Sequence, residues 1–200
     1  MINCIEQDSL TVRRSIYQLG DTAMVSDSCL IDTITACVKN CPTPFNAQSA
    51  RVAVLFREYH KNFWNLVWNN LKEIVPEDKY EASQLRIESF AKAYGTILYF
   101  EDVNVLKKLK KMYPLYKKNM HDWTMQANGM LQYMIWQTLS ENDEGASLQH
   151  YNELVEQQVN ILFDLPKSWK IVAQMPWGNI EKEPAPKTFL PTDIRVKIFK

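Results

Sequence analysis

The sequence lacks two features that would point at once to a partner: a long apolar run and a net charge. Its 200 residues include 23 Lys and Arg against 23 Asp and Glu. No stretch approaches the roughly 18 consecutive apolar residues of a membrane helix. Nucleic-acid binding needs a basic surface that displaces counterions, which a neutral chain does not supply overall. The sequence therefore predicts neither a membrane nor a nucleic acid as partner, and its neutrality lowers the electrostatic cost of self-association.

Cysteines and targeting signals are also sparse. The four cysteines are Cys4, Cys29, Cys37 and Cys41, and the opening MINCIEQDSL carries no basic region followed by an apolar run. No secretory signal is predicted, so we expect a cytoplasmic protein with reduced thiols. Cys37 and Cys41 lie one helical turn apart, but no second pair has metal-ligand spacing and no histidine is near. Small core residues are the better interpretation, and no metal site is predicted.

Several catalytic and nucleotide-binding signatures are absent as well. Only five glycines are present, and no GxGxxG follows a predicted strand, which disfavours a Rossmann-type dinucleotide fold. The sequence also has no P-loop, no GxSxG and no HExxH. The acidic residues are scattered, so a paired-carboxylate mechanism finds no support.

Apolar residues, by contrast, are plentiful: 46% of the chain is hydrophobic, with six Trp and eight Met. One sizeable core follows, and we expect a single domain over residues 1–200. Periodicity predicts a helix opening at Ser9 and further helices over about 26–40, 59–73, 103–112, 120–140 and 152–163. Compact apolar runs predict strands over 51–56, 96–101 and 170–177. The pattern indicates an α+β or α/β sandwich, with a mobile helix or loop after Pro76 and an extended tail over 178–200.

Two local clusters suggest ligand chemistry. Arg13, Arg14 and Ser15, on the first predicted helix, offer two guanidinium groups and a hydroxyl that suit a phosphate. The alternative is a solvated basic pair on a helix surface. The loop 42–49 presents the amides of Asn46 and Gln48, which match the mixed donors and acceptors of a heterocycle edge. Its alternative is ordinary turn chemistry.

Two further spots lie nearer the C-terminus. In the segment 145–152, small residues allow the backbone to approach a flat ligand. His150 there is a candidate general acid, although such a histidine is more often simply hydrogen-bonded in place. Lys187, in the tail, carries no signal by itself, because an exposed lysine is the usual case.

Together these segments resemble the nitroreductase family of FMN enzymes, within the small branch of fatty-acid-repression-mutant proteins and copper-induced nitroreductases. The resemblance covers nearly the whole chain, and its specificity comes from the order and spacing of six motifs. They are RRSIY at 13–17, PTPFNAQSARV at 42–52, AYGTILYFED at 93–102, WTMQANGM at 123–130, GASLQHYN at 145–152 and FLPTDIRVKIF at 189–199.

The resemblance implies a set of FMN-binding residues. Arg13, Arg14 and Ser15 would hold the phosphate and ribityl chain, with Tyr17 near the ring edge. Asn46 and Gln48 would reach a flavin bound mainly by a partner subunit. A backbone N–H of the segment beneath the flavin would reach N5, and that segment comprises Ser147, Leu148, Gln149 and His150. Lys187 and Arg195 would add positive charge at the phosphate, although Phe189 stands where the family often has a second basic residue.

The same resemblance implies a fold, an activity and an assembly. We expect a nitroreductase-like α/β sandwich that forms an intertwined homodimer, in which the tail 178–200 contacts the partner subunit. The implied activity is an NAD(P)H-dependent, ping-pong reduction of nitroaromatics or quinones. Trp123 and Tyr151, with Phe45, are the candidate acceptor-pocket residues, and core packing is an equal alternative for Trp123.

Two other functions stay open at this point. One is a low-turnover flavin-binding sensor or regulator, in lipid signalling or a stress response. The other is a helical scaffold without a cofactor. The sequence leaves open the natural substrate and the choice between NADH and NADPH.

Overall fold

A five-stranded antiparallel sheet forms the centre of the computed structural model, which describes residues 11–200. The strands are β1 (Gln18–Leu19), β2 (Ala50–Phe56), β3 (Gly95–Asp102), β4 (Glu144–Ala146) and β5 (Trp169–Lys182). Their order is β1-β5-β3-β2, and β4 also pairs with β5. β2 is therefore an edge strand within one chain. All eight residues of β3 are buried, as expected of a strand that is covered on both faces.

Helices cover both faces of this sheet. They are α1 (Asp27–Asn40), α2 (Arg57–Leu71), α3 (Tyr80–Ala91), α4 (Val103–Met112), α5 (Met120–Glu141), α6 (Asn152–Leu162) and the short α7 (Thr192–Arg195). The side chains of β3 contribute alternately to the two helical layers, because successive side chains of a strand point to opposite faces of the sheet. Ile97 and Tyr99 join the core cluster with α1 and α5, whereas Leu98 and Phe100 join the cluster with α2 and α6. The predicted α/β sandwich is confirmed.

Most of the predicted elements are present, and local signals explain their ends. Ser26 caps α1 by accepting a hydrogen bond from the Cys29 N–H, and Asp102 caps α4 through the Asn104 N–H at 3.0 Å. The polar stretch after Pro76 contains the ordered helix α3. Cys37 is buried in the core, as predicted. Among residues 11–200, no helix has both the length and the apolar character to cross a bilayer.

The N-terminal segment differs from the predicted helix. Its expected start at Ser9 lies outside the described residues, as does Cys4. Thr11 and Val12 are helical, but the residues that follow are not. Ser15 instead forms a parallel bridge with Ala146, because the Ile16 N–H donates to the Ala146 carbonyl at 2.9 Å. This long-range pairing satisfies backbone groups that a helix would otherwise satisfy locally.

The last strand is longer than predicted. The sequence ends it at Trp177, but β5 continues to Lys182 and pairs with β1 and β4 on the way. Gly178 permits this, because a Cβ there would lie 2.3 Å from the Gly20 carbonyl oxygen. Residues 178–182 are thus part of the sheet, and the tail without strand pairing starts at Glu183.

A buried polar network ties α2 to β3 and to the end of α3. Thr96 Oγ1 accepts a hydrogen bond from the Trp64 indole N–H at 2.8 Å and lies 2.8 Å from His60 Nδ1. His60 Nε2 lies 3.0 Å from the Ala91 carbonyl. The Thr96 hydroxyl therefore donates to Nδ1, and the neutral ring donates from Nε2. Burial lowers the pKa of His60 from 6.5 to about 4.

This histidine predicts a pH dependence of stability. In the unfolded chain His60 binds a proton below about pH 6.5, whereas in the native protein it stays neutral down to about pH 4. The unfolded state therefore binds more protons between these two values, and the free energy of unfolding falls as the pH drops through this window. We expect His60 to contribute a loss of about 3 kcal/mol between the two pKa values. Urea unfolding of the wild type and His60→Gln at several pH values measures the two slopes. Equal slopes would show that His60 does not carry this dependence.

Candidate flavin-binding groove

The N-terminal segment and the segment after β4 lie side by side and form a groove with α5. Arg13, Ser15 and Leu148 line a hollow of about 360 Å³ together with α5 residues that include Gln132 and Trp136. The Arg13 guanidinium carbon lies 4.4 Å from the centre of the Trp136 ring. Since the Ser15–Ala146 bridge holds the two segments together, the structure joins two motifs that are far apart in sequence.

The segment after β4 contains two unpaired backbone donors. The Gln149 N–H and carbonyl pair with Gln174 at 2.7 and 2.9 Å, and the Ser147 N–H donates to the Pro176 carbonyl at 3.3 Å. N–H directions alternate along an extended segment. The N–H groups of Leu148 and His150 therefore face away from β5, and neither has a partner within residues 11–200. Leu148 lines the hollow beside Arg13, and an unpaired donor next to a cation suits an electron-rich heterocycle or an anion.

The side chains of the same segment have other roles. Gln149 is buried and its amide donates to the Ser147 hydroxyl at 3.1 Å. These two side chains fix the shape of the segment. The His150 side chain is exposed. The contact of a backbone N–H of this segment with the flavin stays a prediction.

Arg14 lies on the other side of the N-terminal segment, away from Arg13 and Ser15, with which the sequence groups it. Val12, Arg14 and Ile16 line a separate cavity of about 190 Å³, as alternation along the chain requires. There the Arg14 guanidinium donates to the Ala185 carbonyl at 2.6 Å. The structure therefore connects Arg14 to the start of the tail and not to the groove.

A second hollow, of about 310 Å³, adjoins Tyr17. It lies between that residue and α3, and its lining includes Arg86. The Arg86 guanidinium carbon is 5.9 Å from the centre of the Tyr17 ring. Burial raises the pKa of Tyr151, and the positive charge of Arg86 partly offsets the rise. Sequence reasoning missed Arg86, since a lone arginine in a polar helix carries no distinguishing signal.

The loop before β2 is strained. Phe45, Asn46 and Gln48 have φ values of 52°, 52° and 49°, in the left-handed region that favours glycine. The Thr43 hydroxyl accepts a hydrogen bond from the Gln48 N–H at 3.1 Å and helps to hold this shape. Strain of this kind concentrates at ligand-binding sites. In a single chain, Asn46 and Gln48 do not line the Arg13 groove, and their contact with a partner's flavin stays a prediction.

The predicted acceptor-pocket residues fall into two places. Phe45 stacks on Tyr113 with ring centres 4.0 Å apart, and Trp123 lies 6.3 Å from Phe45. Tyr151 lies elsewhere, 6.0 Å from Trp64 and close enough to Arg86 to feel its charge. One chain therefore does not bring all three together.

The basic tail residues are likewise away from the groove. Lys187 and Arg195 are exposed, and neither lines the two hollows beside the N-terminal segment. Their predicted contact with a phosphate is not tested by a single chain.

Comparison with known proteins identifies the family. A model of the nitroreductase family matches residues 10–179. The FRM2 nitroreductase of Saccharomyces cerevisiae is 29% identical over 191 residues, which cover 94% of this chain and 95% of FRM2. HBN1 of the same yeast is 29% identical over 193 residues and 94% of each chain.

A solved structure agrees with this match. The nitroreductase CinD from Lactococcus lactis, in complex with chloramphenicol, superposes with a TM-score of 0.88 at 35% identity, covering 96% of this chain and 98% of CinD. The chain belongs to the nitroreductase family. Family and structural neighbours together identify it as an oxidoreductase.

The left-handed loop yields a prediction that separates strain from function. Gln48→Gly should raise the free energy of unfolding by about 1 kcal/mol relative to Gln48→Ala, because only glycine adopts this φ without steric cost. Both variants lose the amide, so both should bind flavin more weakly than the wild type. Chemical unfolding and flavin titration of the two variants provide the comparison. If both variants have the same stability, the loop is not strained at this residue.

Proposed function

We propose that the protein is an FMN-dependent NAD(P)H oxidoreductase that reduces nitroaromatics or quinones. The supporting observation is the convergence of Arg13, Ser15 and Leu148, whose backbone N–H is unpaired, at one groove. A guanidinium and a hydroxyl suit a phosphate, and backbone N–H groups suit the electron-rich edge of a flavin ring. A cytoplasmic location is part of the proposal.

The residues of the groove would act on the bound cofactor in distinct ways. Arg13 and Ser15 would bind the phosphate and ribityl chain. The Leu148 and His150 N–H groups would donate to the ring, and they need little reorganisation because β5 fixes their direction. Arg86 would supply positive charge beside Tyr17. FMN held by Arg13 and Ser15 would supply the hydride-transfer chemistry between NAD(P)H and the acceptor.

The order of the two half-reactions follows from the limited space beside the flavin ring. Donor and acceptor would stack in turn on the same face of the ring, so the first product leaves before the second substrate binds. The expected kinetics are ping-pong, with parallel double-reciprocal plots. Solved structures of CinD in complex with chloramphenicol and with 4-nitrophenol support nitroaromatic compounds as the acceptor class.

The test is an NAD(P)H oxidation assay of the purified, flavin-loaded protein with a panel of quinones and nitroaromatics. Turnover with parallel plots would agree with the proposal, and intersecting plots would point to a ternary complex. FMN binding without turnover would instead favour the regulatory alternative. If FAD or no flavin is bound after reconstitution, the proposed cofactor is wrong.

Adjacent arginines allow a matched test of the binding site. Arg13→Ala should weaken FMN binding by about 1.5–3 kcal/mol, the range for a hydrogen bond to a charged group. Arg14→Ala removes the same charge one residue away, on the side opposite the groove, and should weaken it much less. Flavin titration of the apoproteins gives both affinities. Equal losses would contradict the placement of Arg13 in the site.

We also propose that the protein works as a homodimer with exchanged tails. The tail after Lys182 exposes six large apolar residues: Phe189, Leu190, Ile194, Val196, Ile198 and Phe199. The same chain has an apolar cavity of about 540 Å³ between α1, the edge strand β2 and α5. An open edge strand beside an apolar cavity suits an added strand, and in a partner's tail Val196 and Ile198, which follow α7, have the alternating pattern for it. Exchange would bring Asn46 and Gln48 to the other subunit's flavin.

The dimer proposal is tested through the tail. Truncation after Lys182 keeps β5 intact and should remove both dimerisation and FMN, since Lys187 is lost as well. Ile198→Asp with Phe199→Asp should weaken the dimer while keeping Lys187. Lys197→Gln with Lys200→Gln makes the same change of charge without loss of apolar surface and serves as the control. Light scattering and flavin absorbance report both effects, and a wild-type monomer with stoichiometric FMN would contradict the proposal.

A further inference from the structure

Positive charge is concentrated in one surface segment, residues 103–118. It contains six lysines and no acidic residue: Lys107, Lys108, Lys110, Lys111, Lys117 and Lys118. Because the chain as a whole has no net charge, this charge is balanced only by acidic residues elsewhere. The neutrality of the whole chain therefore conceals a basic surface, which we call the lysine surface.

The fold leaves these lysines unpaired. Leu106 and Leu109 face the protein and are buried, so Lys107, Lys108 and Lys111 of α4 lie exposed on its outer side, and Lys110 is half-buried at the edge. None of the six forms an ion pair within residues 11–200. Other lysines do: Lys92 lies 2.6 Å from Glu181, and Lys170 lies 3.3 Å from Glu156. The lysine surface is thus available to an anionic partner.

An apolar tip lies between the two groups of lysines. Leu115 is 92% exposed, Met112 67% and Tyr116 45%. The tip is held by a 3₁₀ turn over Pro114–Tyr116, in which the Tyr116 N–H donates to the Tyr113 carbonyl at 3.0 Å. A leucine exposed to this degree on a fixed turn exposes apolar surface that a partner can cover.

We propose that the lysine surface binds anionic lipid bilayers, with Leu115 and Met112 entering the boundary between headgroups and acyl chains. Lysines attract anionic headgroups, and a short apolar insertion adds to that attraction without any spanning helix. Charge complementarity selects the lipid. A nucleic acid offers phosphates but no apolar layer for Leu115, and a second copy would bring the same six positive charges.

Vesicle flotation of the full-length, flavin-loaded protein tests this binding. We expect it to float with vesicles of phosphatidylcholine and phosphatidylserine, and not with phosphatidylcholine alone. The binding should be lost at about 1 M salt, where the Debye length falls to about 3 Å. Equal binding to both vesicle types, or none to either, would overturn the proposal.

Variants locate the contact. Replacement of Lys107, Lys111, Lys117 and Lys118 by Gln should lower vesicle binding several-hundred-fold, at about fivefold per lysine near the surface. Leu115→Ser should lower it about tenfold. The controls make equal changes elsewhere: Lys61, Lys72, Lys79 and Lys167 to Gln, and Ile161→Ser, whose side chain is 79% exposed.

Three outcomes would overturn the assignment. The first is undiminished vesicle binding by the quadruple lysine variant. The second is conversion of a dimer to a monomer by the same variant in light scattering, which would make the lysine surface a subunit interface. The third is that wild-type protein binds duplex DNA more tightly than vesicles. Circular dichroism melting confirms that each variant is folded. None of these results depends on flavin chemistry, so they are distinguishable from a failure of the proposed function.

Discussion

The hydrogen bonds of β5 hold together nearly everything that the candidate site needs. This strand pairs with β3 in the centre of the sheet, with β1 and β4 along its far half, and with Gln149 through Gln174. β1 continues the segment that carries Arg13 and Ser15, and β4 continues into the segment of Leu148. Both walls of the groove are therefore positioned by one strand. A loop that lacked this pairing would leave its backbone donors without a fixed direction.

Buried amides reinforce the arrangement at the point where β5 meets the groove. Gln174 is fully buried, and its Oε1 accepts a hydrogen bond from the Tyr151 N–H at 2.7 Å. Its Nε2 donates to Asn152 Oδ1 at 2.6 Å, and Asn152 Nδ2 donates to the Val172 carbonyl at 2.7 Å. Because the buried amides of Gln174 and Asn152 are hydrogen-bonded, their burial carries little desolvation cost and the network is rigid. Rigidity here keeps the Leu148 and His150 N–H groups aimed before any ligand binds.

The parts of this fold that could be predicted from sequence are those decided by local pattern. α4 and α5 follow from apolar periodicity, and β3 follows from a compact apolar run. The path of Arg13–Ser15 could not be predicted in this way. Its extended conformation depends on pairing with Ala146, which is distant in sequence. Helical periodicity is a local pattern, so it carries no information about such a long-range pairing.

Other misses have equally specific causes. Gly178 looks like the end of a strand, yet it is needed inside one because the Gly20 carbonyl approaches so closely. The left-handed φ of Gln48 gives no signal, since turn rules associate that conformation with glycine and asparagine. The position of Arg86 beside Tyr17 could not be predicted from sequence, because it depends on the packing of α3 against the N-terminal segment.

Alternation in the N-terminal segment assigns adjacent residues to different tasks. Arg13 and Ser15 face the groove, whereas Arg14 faces the cavity that it shares with Glu144 and holds the tail through Ala185. Burial raises the pKa of Glu144, whose Oε1 accepts hydrogen bonds from the Met24 and Val25 N–H groups.

The same cavity gives a reason for two consecutive arginines. Glu144 Oε2 and Arg14 Nε are both buried without a hydrogen-bond partner within residues 11–200. Arg14 thus anchors the start of the tail through the Ala185 carbonyl, while Arg13 faces the groove and is positioned to bind a ligand.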